Sequence, residues 1–190
     1  NINSGRNVLF GENAGSTLDY SSNLDNVFIG FNSGTNVTTN SRNVGLGFAT
    51  LQSSGSSNTA IGYQSATTQT GNNNTAVGYQ SLQSGSGSNN VAVGRSALSS
   101  ASAGASNVAI GTNALSSAGG SNNVAIGQSA AQNNSGSNSV FVGNRAGQNE
   151  TASNKLYIEN SNSTSPLIYG DFSTNLLRIN GTLNINNKYK

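Results

Sequence analysis

The chain has no cysteine, histidine, methionine or tryptophan, a single proline, and only 7% charged residues. Each absence removes a class of chemistry. Without cysteine there is no disulfide framework, and any compartment remains open. Without cysteine or histidine, zinc lacks its usual sulfur and nitrogen ligands. The lack of any methionine, an initiator included, points to a fragment or a processed form. No stretch approaches the roughly 20 apolar residues of a membrane helix and no signal-peptide pattern is seen, so direct membrane insertion is not expected. The net charge is +2, and between Asn43 and Asn144 the only charged side chain is Arg95. No basic patch can form there, which argues against a nucleic-acid partner.

What the chain does have is a pentad that keeps returning. Aligned on its glycine, the register is Gly11, Gly30, Gly47, Gly62, Gly78, Gly94, Gly111, Gly127 and Gly143, a period of about 16 residues. Repeats at such a period define a solenoid. Low charge with abundant Asn, Ser, Gly and Thr can mean disorder, but disordered chains carry no apolar ladder in register.

The slots are strict. Phe10, Ile29, Leu46, Ile61, Val77, Val93, Ile110, Ile126 and Val142 precede the glycines, with a β-branched residue two places earlier in each copy. Such pairs share one face of a short strand. The residue between them is apolar too, or glycine: Leu9, Phe28, Gly45, Ala60, Ala76, Ala92, Ala109, Ala125 and Phe141. A run apolar on both sides argues burial on both faces, as in stacked parallel strands. Three residues past each glycine the slot is small, from Ala14 to Ala146, as a tight corner requires.

A thin coil of this kind buries little surface by itself and leaves one apolar face bare. Packing that face on copies of itself is the economical remedy, and Ala60, Ala76, Ala92, Ala109 and Ala125 are expected at that interface, around a threefold axis. The expected fold is therefore all-β: a homotrimeric parallel β-roll of about nine coils with a short β-rich C-terminal neck. Residues 1–6 read as a polar lead-in, 7–150 as the repeat array and 151–190 as the neck or cap. In the last segment the period stops after Glu150, and short strands are expected at 155–159, 166–169, 176–179 and 182–185, the last after an Asn180-Gly181 turn.

Pentads such as Asn123-Val124-Ala125-Ile126-Gly127 followed by Gln128-Ser129-Ala130-Ala131 resemble the head repeats of YadA-like trimeric autotransporter adhesins. The resemblance covers Asn7 to about Gly147. It implies a left-handed parallel β-roll, three chains to a lobe, displayed at a cell surface for attachment. The repeat here is longer than the family's usual one. The stretch from Ser153 through Tyr157-Ile158 and Pro166-Leu167-Ile168-Tyr169 to Phe172 is similar to segments of phage tail-fibre and bacterial surface-fibre proteins.

The position after each glycine forms a column: Glu12, Phe31, Phe48, Tyr63, Tyr79, Arg95, Thr112, Gln128 and Asn144. Aromatic rings on successive coils offer a platform for the C–H faces of sugar rings, with hydroxyls and Arg95 as polar handles; equally, they can cover the edge of a neighbouring chain. The early loops around Asp19-Tyr20 and Thr35–Thr39 are further contact candidates. Asn7, Asn26, Asn43, Asn58, Asn74, Asn90, Asn107 and Asn123 open the pentads and read as a structural ladder, since Asn tolerates unusual backbone angles and bonds its own turn. Asp19 and Asp25 stand apart from any repeating calcium slot, so no metal and no cofactor is expected. Glu150, Glu159 and Asp171 formally offer a carboxylate pair for glycoside hydrolysis, but scattered acids in a cap read as solvated, and no enzyme activity is expected. The expected function is a non-enzymatic fibre or adhesin module, extracellular or on a virion or injection-system fibre, binding a host or cell-surface receptor with glycans among the candidates. The alternative is a structural shaft or spacer; a threonine array for ice binding is too short, with only Thr59 and Thr75 in the slot.

Overall fold

The computed structural model describes residues 2–3, 6–19, 24–100, 104–117 and 119–184. It is all-β, a parallel β-solenoid of about nine turns, with no helix among the described residues. Each pentad supplies one rung. The rungs are Asn7–Phe10, Val27–Ile29, Val44–Leu46, Thr59–Ile61, Thr75–Val77, Val91–Val93, Val108–Ile110, Val124–Ile126 and Val140–Val142. They pair in parallel and in register, so Val108 lies beside Val124 and Ala109 beside Ala125.

The ladder continues one rung beyond the glycine register. Lys155–Ile158 pairs in parallel with Val140–Val142, placing Leu156 beside Val140, Tyr157 beside Phe141 and Ile158 beside Val142. The repeat therefore does not stop at Glu150. Glu159 stands in the glycine slot there, and the following strands, Ile168–Asp171 and Leu176–Ile179, turn back antiparallel in the same sheet. Of the remaining expected strand, residues 182–184 are not in a strand and Ile185 lies outside the described residues.

The glycine is required by the stack. Gly111 has φ +132, and a Cβ placed on it would lie 2.5 Å from the carbonyl oxygen of Gly127 one rung on. The last parallel rung has no parallel successor to collide with, so Glu159 is tolerated in that slot.

Beyond the glycine the chain turns a corner through left-handed residues, for example Asn113 (φ 57) and Leu115 (φ 49). Left-handed backbone costs a leucine roughly 1–2 kcal/mol. Leu115 is wholly buried, and burying a leucine gains about 1.5–3 kcal/mol, so packing holds the corner shut.

The orientation of the strands corrects one expectation. Ala60, Ala76, Ala92, Ala109 and Ala125 are completely buried within a single chain. They point into the coil, not toward a neighbour, and in the coils of Ala76, Ala92 and Ala109 the interior is already filled by the corner leucines Leu82, Leu98 and Leu115. The side chains on either side of them point outward. Val8, Val44, Leu46, Ile61, Val93, Ile110, Ile126 and Ile158 are exposed by 36–48%, and Phe10 by 75%.

These outward positions form two columns that continue in register into the antiparallel strands. The register sets Gly170 and then Leu177 beyond Leu156, and Ile168 and then Ile179 beyond Ile158. The inward column ends in Tyr157, Tyr169 and Arg178. Tyr157 stacks on Phe141 (5.7 Å between centroids), Tyr169 meets it edge-on at 5.4 Å, and the Arg178 guanidinium covers Tyr169 at 5.8 Å. That sequence of contacts closes the end of the core with a charge.

Candidate functional site

The glycine-plus-one column is a continuous stack for four rungs. Centroid separations are 5.3 Å for Phe31–Phe48, 4.9 Å for Phe48–Tyr63 and 5.2 Å for Tyr63–Tyr79, with planes within 6–15° of parallel. Rings this close cannot lie side by side, so their faces overlap with an offset. The four rings are 40–47% exposed. They present edges and, on Tyr63 and Tyr79, hydroxyl groups; only the two ends of the stack have a face unshared with another ring of the column. A sugar ring laid flat across the middle of the column has no face to lie on. Arg95, the next member, is exposed.

The early loops also stack. The Asp19 N–H donates to the Thr38 carbonyl at 3.0 Å, and the Thr17 hydroxyl to the Thr35 carbonyl at 2.7 Å. Tyr20 lies outside the described residues. Asp25 pairs with Arg6 at 2.6 Å. No group of three potential ligands is gathered among the described residues.

The asparagines at the head of the pentads are buried and joined rung to rung. Asn43 Oδ1 accepts from the Asn58 N–H at 2.9 Å, Asn58 Oδ1 from Asn74 at 2.8 Å, Asn74 Oδ1 from Asn90 at 2.9 Å, and Asn107 Oδ1 from Asn123 at 2.9 Å. Their amide nitrogens donate outward along the coil, Asn58 to Gly71, Asn107 to Gly120 and Asn123 to Gly136, each at 2.9 Å. Both ends of Asn58, Asn107 and Asn123 are thus bonded within the fold, whereas the buried amide nitrogens of Asn7 and Asn90 have no partner among the described residues. Ser139 and the Lys155 N–H continue the chain of bonds into the last rung at 3.0 Å each.

The three acids of the C-terminal region have different partners. Glu150 accepts from the Tyr157 hydroxyl at 2.6 Å, Glu159 from the Leu167 N–H at 2.9 Å, and Asp171 from Lys155 at 2.7 Å. Asp171 is held down at about 2, first by its Lys155 bond and then by Ser173, and Lys155 is raised by the same pair. Each carboxylate is bonded to its own structural partner.

The sequence reading passed over two features. One is the outer apolar stripe, whose position follows from the inward alanines. The other is a cavity beside Glu150, between the end of the ninth coil and the loop after the tenth rung.

No protein-family model matches this chain, and neither a curated protein nor a solved structure matches it.

Proposed function

We propose that the chain is a non-enzymatic module of a homotrimeric extracellular fibre, carried on a cell surface or a virion, that attaches to a host or cell-surface receptor. The observation carrying this reading is the outer stripe. Its two columns run from Val8 and Phe10 to Leu177 and Ile179 over twelve strands, broken only by Thr59, Thr75 and Gly170. Twelve strands spaced at about 4.8 Å give a stripe about 50 Å long and two side chains wide. Soluble chains seldom leave so long an apolar strip in water. Such a narrow, straight strip suits three copies meeting around one axis, each covering the others along its whole length. The resemblance to YadA-like head repeats points to the same association.

Attachment is assigned to what stays outside such a bundle: the aromatic column with Arg95, and the early loops at Asp19 and 35–39. The test is binding of labelled protein to cells and to a glycan array. Saturable binding that falls on Tyr63→Ala and Tyr79→Ala supports the reading; no binding on any surface sinks it. The second reading is a structural shaft. It is favoured by the aromatic stack itself, whose faces are spent on one another along the axis.

A further inference from the structure

At the end of the roll, the turn 147–150 and the loop 160–165 face each other across a cavity of roughly 160 Å³, lined by Asn149, Glu150, Tyr157, Asn162, Ser163 and Thr164. Its floor is organised. Glu150 Oε2 accepts from the Tyr157 hydroxyl at 2.6 Å and Oε1 from the Ala152 N–H at 2.8 Å. Both donors are neutral, and Glu150 forms no ion pair with the described residues. Each carboxylate oxygen keeps a further lone pair. Burial, and then Glu150 itself, push the Tyr157 phenol up, so it remains a donor at all ordinary pH.

The walls carry unused polar capacity. Asn149 Oδ1 accepts from Asn133 at 2.8 Å, which leaves its own NH₂ to donate. The Ser163 hydroxyl accepts from the Ser165 N–H at 3.0 Å and keeps its proton. The side chains of Asn162 and Thr164 make no hydrogen bond to the described residues.

This donor set discriminates among ligands. A divalent cation wants several carboxylates, and one is present. An ammonium group can donate to Glu150 and to the oxygens of the walls, but it offers no acceptor to the NH₂ groups of Asn149 and Asn162. An anion meets the Glu150 charge. A sugar hydroxyl both donates and accepts, and so satisfies carboxylate and amide together.

We propose that this cavity binds one neutral pyranose residue, its hydroxyls donating to Glu150 and accepting from Asn149, Asn162 and Thr164. All the groups come from one chain, so the site goes beyond the fibre reading and does not depend on the chains associating.

The test is titration of the whole chain with methyl hexopyranosides of glucose, galactose and mannose, followed by saturation-transfer NMR, with sialic acid as the charged control. Saturable binding of a neutral hexoside is expected. It should weaken about tenfold in Asn162→Ala/Thr164→Ala, which removes no bond of the fold, and in Glu150→Gln, which keeps an acceptor for Tyr157. Phe48→Ala should leave it unchanged. The proposal is overturned by no saturable binding of any neutral hexoside, by preference for sialic acid, by binding indifferent to the cavity variants, or by an equal loss in Phe48→Ala.

Discussion

The ring of Phe28 occupies the space into which a side chain at Gly34 would grow, and Phe141 stands in the same relation to Gly147. Where the strand offers only alanine, the corner supplies the bulk instead. Ala76, Ala92 and Ala109 face coils whose corners carry Leu82, Leu98 and Leu115, all fully buried. One enclosed volume per coil is thus filled from either of two positions six residues apart. Where both are alanine, as with Ala60/Ala66 and Ala125/Ala131, the same coils bury Gln69 and Asn134 completely.

That exchange predicts a compensating pair. Phe28→Ala should cost about 3–5 kcal/mol through the cavity it leaves, and Gly34→Leu about 1–3 kcal/mol through overpacking. The double variant should be more stable than Phe28→Ala alone by about 2 kcal/mol, because leucine already adopts this left-handed corner at 51, 82, 98 and 115. Urea denaturation of the four proteins measures the coupling; strict additivity would contradict it.

Asn107→Ala removes the acceptor for the Asn123 N–H and the donor for the Gly120 carbonyl. Two buried backbone groups lose their partners, for a cost of about 2–4 kcal/mol. A change below about 0.5 kcal/mol in thermal or urea unfolding would show that water replaces both bonds.

Neighbouring residues on one rung should fail in different ways. Ala109→Leu puts bulk into a filled coil and should lower the melting temperature, with a cost of about 1–3 kcal/mol. Ile110→Asp sits on the outer face, 40% exposed, and should leave the isolated fold intact while abolishing association. Circular dichroism melts with parallel mass measurements separate the two effects. The opposite pattern would reverse the inward and outward assignment.

The Lys155–Asp171 pair sets a pH dependence. Asp171 is depressed to about 2 from its ordinary value of 3.8, so its contribution is complete above about pH 4 and is lost as pH falls toward 2. Lys155 and Tyr157 are raised, so their contributions hold below about pH 10 and fade as pH rises through the raised values. Asp171→Asn should therefore be less stable than the parent at neutral pH, with the difference vanishing near pH 2. A constant difference across the acid range would contradict the pairing.

The array was legible in the sequence because its physics is strict. The glycine clash, the β-branched pair and the small corner residue each recur at fixed spacing. The inner and outer faces were harder to tell apart, because both are apolar and period-two alternation does not say which is enclosed. The signal lay in volumes: Phe28 goes with Gly34 and Ala109 with Leu115, an inverse relation that only a shared closed space explains. The tenth rung was hidden by two substitutions, Lys155 in the asparagine slot and Glu159 in the glycine slot. The spacing of 16 from Gly143 to Glu159 survives them. The cavity at Glu150 was not legible, since its second wall, residues 162–164, belongs to no repeat and is placed only by the turn of the chain after the last parallel rung.

The most direct test of the account is the solution mass of the whole chain by light scattering on a sizing column. The outer stripe predicts a species of three times the 19.2 kDa chain, reverting to a single chain on Ile110→Asp or Ile126→Asp. A stable 19.2 kDa monomer at every concentration would contradict it, leaving the Val and Ile columns in water and the trimeric fibre without its foundation.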